Sequence, residues 1–181
     1  MRRNRLGTGG TRSAASILDS HQKQILKAWI AAGLWLILIV IESTSYLSAA
    51  NTARLLYPIF HALFGVDQIH FVYWNHYIRK TGHFVGYFTL SLLLFRAWKA
   101  TLPSNSRWEI RWAAIAFFMS AFVGSMDEFH QTFLPSRTGL VSDAILDSTA
   151  ALIAQIVIFV VILFWGSRSR REEVVPVGRS G

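Results

Sequence analysis

The chain has 181 residues, of which 52% are hydrophobic and only 15% are charged. A soluble domain carries about 25% charged residues, so this composition is typical of a membrane protein. The absence of cysteine excludes disulfides, thiolate metal sites and cysteine nucleophiles. The formal net charge is +8, and the Lys and Arg residues lie between apolar runs. We therefore expect the lipid bilayer with its anionic head groups as a partner, and no nucleic acid.

The first apolar run covers residues 28–41 and follows a basic start whose glycine-rich residues 7–10 predict a flexible segment. Extension to Leu47 gives the roughly 20 residues that a transmembrane helix needs. A basic start before a short apolar core also fits a signal peptide, which is the alternative interpretation. We favour an uncleaved span, because the polar start is long and Glu42 directly follows the core.

A shorter helix is predicted in the mixed segment 48–78 that follows. The apolar residues that recur there at helical spacing are Leu55, Leu56, Ile59, Phe60 and Leu63. This pattern indicates a short helix that lies in the membrane interface. The aromatic residues Tyr73, Trp74 and Tyr77 indicate an interfacial belt before the next span.

Three further apolar stretches predict membrane spans at about residues 81–98, 111–129 and 141–165. Pro135 and Gly139 mark the last connection as a loop. The sequence therefore predicts an all-α fold, an integral membrane bundle of four transmembrane helices with an additional interfacial helix. We divide the chain into a basic flexible cytoplasmic N-terminus, a membrane domain and a disordered basic cytoplasmic tail, at residues 1–27, 28–166 and 167–181.

The distribution of Lys and Arg predicts the orientation of the spans. With a cytoplasmic N-terminus, the inner segments 1–27, 96–111 and 168–181 carry six, four and four of these residues, fourteen in all. The outer segments carry four, which are Arg54, Arg79, Lys80 and Arg137. Cytoplasmic segments carry the excess of positive charge, so both termini are expected on the cytoplasmic side of the cell (inner) membrane.

Polar residues from every predicted span then meet at the outer face. Helical spacing aligns Lys80, His83 and Tyr87 on one face, and it aligns Asp143 with Asp147. Ionisable groups at the edge of a span are costly to bury and are therefore functional candidates. The candidate binding residues are Arg79, Lys80, His83, Tyr87, Asp127, Glu128, Gln131, Arg137, Asp143 and Asp147.

Two interpretations of these residues stay open. A structural network of ion pairs would hold the helix ends together and lower the cost of burying their charges. A ligand site would instead use Lys80 and Arg137 to bind phosphate or carboxylate, and His83 with an acid to transfer protons. Catalytic roles are not assigned, and the candidates for them are His83, Asp127, Glu128 and Arg137.

No metal and no cofactor are expected from the sequence. Asp127, Glu128 and His130 lack a recognised ligand spacing, and neighbouring side chains diverge on a helix. Gly82 and Gly86 stand four residues apart and match a small-residue motif for close helix packing.

Two blocks of the sequence resemble the VanZ-like membrane protein family. The first block consists of Arg79, Lys80, His83, Phe84 and Tyr87. The second consists of Asp127, Glu128, Gln131, Phe133, Pro135, Arg137, Asp143 and Asp147. Both blocks stand in the order and at the separation expected of the family, and the resemblance covers about residues 30–165. The chain departs from the family pattern at Gly86, where an acid is frequent, and at Ala150, where a glycine is frequent.

The resemblance implies a multi-pass envelope protein with a polar site at the extracytoplasmic face. The founding member of the family is associated with low-level resistance to the glycopeptide teicoplanin. We therefore expect an effect on cell-envelope precursors or on glycopeptide susceptibility, with a cell-wall precursor or a lipid-linked glycan as partner. The alternatives are a membrane enzyme acting on a lipid-linked or phosphorylated envelope substrate, and a structural or partner-binding membrane protein.

Overall fold

The regular structure of the chain is helical in all the parts that can be described. The computed structural model describes residues 9–44, 46, 48–102, 104–135, 137 and 139–173, with side chains from residue 19 to residue 165. The helices are α1 (Gly9–Ser43), α2 (Ala49–Phe64), α3 (Gln68–Thr101), α4 (Ile110–Gln131) and α5 (Val141–Glu173). No strand occurs in these ranges, so the prediction of an all-α fold is confirmed.

Apolar length identifies the helices that can cross a membrane. Three stretches are long and apolar enough by themselves, namely Asp19–Ser43, Ile110–Gln131 and Val141–Trp165. Helices α2 and α3 bend by 116° at their junction, and they add a fourth candidate only if the bent pair is one span. The chain is therefore a multi-pass membrane protein with three candidate spans, or up to four.

Helix α3 occupies the centre of the molecule. It packs against each of the other four helices, whereas α1 and α5 do not contact each other within the described residues. Tyr87, Leu90 and Leu94 are buried along it at steps of three and four residues, which is the spacing of one helical face. Because its neighbours shield it from lipid on several sides, α3 can carry more polar residues than the outer helices.

Two glycines of α3 lie on the face that packs against α1, and the closer contact is at Gly82. Trp35 Nε1 donates a hydrogen bond of 2.9 Å to the carbonyl oxygen of Gly86. A Cβ at Gly82 would lie 3.0 Å from Glu42 Oε1, so the side chain of Glu42 rests directly on the backbone there. The pair Gly82 and Gly86 therefore faces α1, which agrees with the packing role predicted from their spacing.

A helix forms in the segment where the sequence predicts a short interfacial one. Helix α2 begins after Ser48, whose hydroxyl accepts a hydrogen bond from the Asn51 amide at 3.4 Å. It ends at Gly65, which has the left-handed φ of 64° that suits glycine at this position. Tyr57 packs its ring edge-to-face against Phe71 at the start of α3. The position of α2 in the membrane interface stays a prediction.

The helices at both ends are longer than the predicted spans. Helix α1 begins at Gly9, inside the segment predicted to be flexible, and α5 continues to Glu173, inside the predicted tail. No proline interrupts residues 11–43 or 141–173, so the helical hydrogen bonds can continue past the apolar stretches. Residues 1–8 and 174–181 lie outside the described residues, and the division into cytoplasmic ends and a membrane domain stays a prediction.

A buried polar contact joins α3 to α5 within the apolar part of the bundle. Ser91 Oγ donates to the carbonyl oxygen of Ala151 at 3.0 Å, and Gln155 Nε2 donates to Ser91 Oγ at 2.7 Å. Gln155→Leu is expected to lower the free energy of unfolding in detergent by about 1 kcal/mol, because hydrogen bonds between membrane helices contribute about that much. Ser125→Ala is the control, since Ser125 is exposed and donates its hydrogen bond to the Ala121 carbonyl of its own helix. Equal midpoints for the Gln155→Leu and wild-type proteins would contradict the expectation.

Candidate functional site

Two charged pairs join α3 to α5 at one end of the bundle. Lys80 Nζ forms a salt bridge with Asp143 Oδ1. One turn deeper, His83 Nδ1 lies 3.5 Å from Asp147 Oδ1, which is an ion-pair distance rather than a hydrogen bond. The outer pair is partly exposed, whereas Asp147 is fully buried at 0% exposure. Lys80 and His83 are three residues apart on α3, and Asp143 and Asp147 are four apart on α5. The partly exposed pair therefore lies one helical turn from the buried pair.

Helix α4 adds two carboxylates to this cluster. Asp127 Oδ2 accepts hydrogen bonds from the Tyr87 hydroxyl at 3.0 Å and from Gln131 Nε2 at 3.2 Å. Glu128 is 4% exposed, and its Oε2 accepts a hydrogen bond of 3.0 Å from the Leu140 amide. Asp127 is therefore anchored to α3, and Glu128 is anchored to the residue that precedes α5.

Arg137, in the connection between α4 and α5, forms hydrogen bonds with the end of α1. Its Nη2 donates to the carbonyl oxygens of Glu42 and Thr44, the latter at 3.0 Å. Arg137 is 8% exposed. Burial lowers the pKa of its guanidinium, and the positive charge of Arg79 lowers this pKa further. A negative charge near these two guanidinium groups would therefore be stabilised.

A cavity of about 270 Å³ lies at this end of the bundle. Its lining residues are Ala49, Val72, Asn75, His76, Arg79, Lys80, His83, Gln131, Arg137, Leu140 and Asp143. Three of them carry permanent positive charge, and Asp143 is the one carboxylate among these described residues. The charged groups of this recess between α2, α3 and the start of α5 are therefore mainly basic.

The structure brings all ten predicted site residues together. Six of them line the cavity, and Tyr87, Asp127, Glu128 and Asp147 lie beside it, in contact with one another or with His83. His83, Asp127 and Glu128 each offer one potential ligand atom, and these atoms lie within 4.8 Å of one another. The sequence analysis considered His130 next to these acids, but His130 is exposed.

The sequence analysis did not place two cavity residues, Asn75 and the exposed His76, at the site. Asn75 is buried, and its Nδ2 donates a hydrogen bond of 3.0 Å to the Ala49 carbonyl at the start of α2. His76 lines the same wall of the cavity. Both precede Arg79 and Lys80 by four residues, so extending the polar face of α3 by one turn toward its N-terminus would have found them.

These observations define a class of protein, a multi-pass helical membrane protein with a cluster of ionisable residues at one end of its bundle. The family model described as VanZ/LLP1 matches residues 28–164. The chain therefore belongs to the VanZ/LLP1 family, and the resemblance seen in the two sequence blocks is confirmed. No curated protein and no solved structure matches the chain.

Proposed function

We propose that this protein crosses the cell (inner) membrane four times, with both termini cytoplasmic, and binds the anionic head group of a cell-envelope precursor at its extracytoplasmic face. Binding of this head group would alter the susceptibility of the cell to glycopeptides such as teicoplanin. The observation that carries the proposal is the basic cavity, whose described lining residues include Arg79, Lys80 and Arg137 but only one carboxylate, Asp143.

The placement of charge along the chain supports the extracytoplasmic position of the cavity. The cavity is bounded by the start of α2, the first half of α3 and the residues that precede α5. The basic connection between α3 and α4, with Lys99, Arg107 and Arg111, lies at the other end of these helices. Because positive charge is concentrated on the cytoplasmic side, the cavity is expected on the opposite side.

The chemistry of the lining favours an anion. Two guanidinium groups and an ammonium group match the oxygens of phosphate or carboxylate. Ligand pockets commonly have volumes of about 300–1,000 Å³, so a cavity of about 270 Å³ suits a head group rather than a whole lipid-linked glycan. The acyl or polyprenyl part of such a ligand would stay in the bilayer beside the helices.

A second candidate function is catalysis on a lipid-linked or phosphorylated envelope substrate. It is favoured by the close grouping of the imidazole of His83 with the carboxylates of Asp127 and Glu128. An imidazole and an acid within reach of a bound substrate can act as general acid and general base. Arg137 would then hold the anionic part of the substrate.

Lys80→Gln is expected to abolish the phenotype without lowering the amount of protein in the membrane. Lys80 is partly exposed, so its loss should cost little stability. The variants would be expressed in a deletion strain and scored by membrane immunoblot and by teicoplanin and detergent susceptibility. Lys99→Gln is the matched control, because Lys99 lies on the same helix at the opposite end and bonds to the Arg107 carbonyl.

The companion variant Asp127→Asn separates the candidate functions. Normal abundance with loss of the phenotype in both variants would support a working site. Loss of the phenotype in Asp127→Asn, with unchanged binding of the purified variant to anionic lipid vesicles, would favour the enzyme. Reduced abundance in both variants would favour a structural or partner-binding protein whose charges only hold the helices together. A deletion strain with unchanged susceptibility would contradict the proposed role.

A further inference from the structure

We propose that His83, Asp127 and Glu128 bind one divalent transition-metal ion, such as Zn²⁺ or Mn²⁺, beside the basic cavity. This site goes beyond the binding of an anionic head group and does not depend on it. One potential ligand atom from each residue lies within 4.8 Å of the other two. Three ligands at about 2.1 Å from a common ion lie at most about 3.6 Å from one another, so these atoms would have to approach one another by up to about 1.2 Å to close the site.

The hydrogen bonds around these residues leave one face of each free for a metal. Tyr87 and Gln131 both donate to Oδ2 of Asp127, and neither contacts its Oδ1 in the described structure. His83 turns its Nδ1 toward Asp147, which leaves Nε2 as the metal-binding nitrogen. Metal-binding histidines commonly donate their second ring N–H to a carboxylate, and a small approach of His83 Nδ1 to Asp147 from 3.5 Å would form this hydrogen bond.

Buried oxygens without hydrogen bonds provide an independent observation. Glu128 is 4% exposed, and its Oε1 has no hydrogen-bond partner among the described residues, although Oε2 is held by the Leu140 amide. Both carboxylate oxygens of Asp147 also lack a hydrogen bond within the described part of the chain. A buried carboxylate oxygen without a partner is costly, and a cation bound by Oε1 of Glu128 would remove that cost at Glu128.

The charges of the site favour a dication as well. Five carboxylates gather here, those of Glu42, Asp127, Glu128, Asp143 and Asp147. The permanent positive charges are those of Arg79, Lys80 and Arg137. Lys80 already pairs with Asp143, and Arg137 donates to main-chain carbonyls of Glu42 and Thr44. A divalent ion bound by His83, Asp127 and Glu128 would place positive charge among these carboxylates, beside the basic cavity.

The types of ligand indicate the class of metal. An imidazole together with two carboxylates suits Zn²⁺, Mn²⁺ or Fe²⁺, whereas Mg²⁺ and Ca²⁺ prefer oxygen ligands throughout. The sequence analysis expected no metal because it considered only residues near one another in the chain. His83 is separated from Asp127 by more than forty residues, and only the packing of α3 against α4 brings the two together.

The test measures metal bound to the full chain, purified in detergent without a histidine tag and stripped with a chelator. After incubation with Zn²⁺ or Mn²⁺ and gel filtration, elemental analysis is expected to find one ion per wild-type chain. Glu128→Gln and His83→Ala are each expected to weaken the affinity measured by calorimetry by at least about tenfold. His130→Ala, which removes an exposed histidine two residues from Glu128, is expected to bind like the wild-type protein.

Absence of a stoichiometric ion, or equal affinity in Glu128→Gln, His83→Ala and the wild-type protein, would overturn the proposal. Pulsed electron paramagnetic resonance of Mn²⁺ on the wild-type chain gives a readout that needs no variant to fold. Coupling to an imidazole nitrogen is expected, and its absence would also overturn the proposal. Lys80→Gln is expected to bind the metal like the wild-type protein. Loss of the susceptibility phenotype in Lys80→Gln therefore tests the proposed binding of an anionic head group, whereas metal binding by Glu128→Gln and His83→Ala tests the proposed metal site.

Discussion

Replacing Gly139 with alanine is expected to destabilise the protein by about 3 kcal/mol, at the upper end of the cost of an extra methyl group in a packed site. A Cβ at this position would lie 2.7 Å from Thr132 Cγ2 and 3.0 Å from the Thr132 amide nitrogen, and it would clash with the Glu128 carbonyl oxygen. Backbone atoms cannot yield as a flexible side chain does. The loop would therefore move and break the hydrogen bond from the Leu140 amide to Glu128.

The matched control is Gly33→Ala. Gly33 lies within α1, and a Cβ there would have no atom within 4 Å apart from its own helix. Alanine favours a helix over glycine by about 1 kcal/mol, so this variant is expected to be neutral or slightly more stable. Unfolding in detergent followed by circular dichroism measures both variants. A Gly139→Ala protein as stable as Gly33→Ala would show that the loop is not packed as described.

Replacing Arg137 with alanine is expected to cost about 3 kcal/mol of stability and to lower the amount of protein in the membrane. Its guanidinium is buried and donates to the carbonyl oxygens of Glu42 and Thr44, at the end of a helix more than ninety residues away in the chain. Hydrogen bonds from charged groups contribute about 1.5–3 kcal/mol each, and loss of the donor leaves partly buried carbonyl oxygens unsatisfied. Arg137→Lys should recover only part of this stability, because an ammonium group lacks the planar fork of donors.

Arg111→Gln is the control for the loss of an arginine. Arg111 is exposed and pairs with Glu109 at the start of α4, so its replacement should cost less than about 1 kcal/mol. The free energy of unfolding in detergent is the quantity to compare, with membrane abundance as the second readout. If Arg137→Ala and Arg111→Gln were equally stable, the connection between α4 and α5 would not be held to α1 by Arg137.

The helices themselves were predictable because their causes are local. Apolar stretches of sufficient length placed spans within α1, α4 and α5, and the spacing of Leu55, Ile59 and Leu63 placed a helix where α2 forms. The start of α3 was missed. The helix begins thirteen residues before the predicted span because Asp67 caps it, accepting a hydrogen bond of 2.8 Å from the His70 amide. Such a cap extends a helix beyond its apolar part, and hydropathy does not detect it.

The gathering of the site residues was also predictable. Successive spans alternate in direction, so the end of one and the start of the next share a membrane face, and this places Arg79 to Tyr87 near Asp127 to Asp147. Charge balance along the chain then indicates which face that is. No knowledge of how the helices pack was needed for either step, since both depend only on the order and polarity of segments.

The individual contacts were decided by the tertiary structure alone. Tyr87 bonds to Asp127 rather than to Asp147, and His83 faces two carboxylates of α4. Arg137 donates to the main-chain oxygens of Glu42 and Thr44 at the end of α1. These contacts depend on the rotation and relative height of packed helices, which are set by how side chains such as Trp35 fit against Gly86. Local periodicity determines which residues share a face of one helix, but the distance between faces of different helices is determined only when the whole bundle packs.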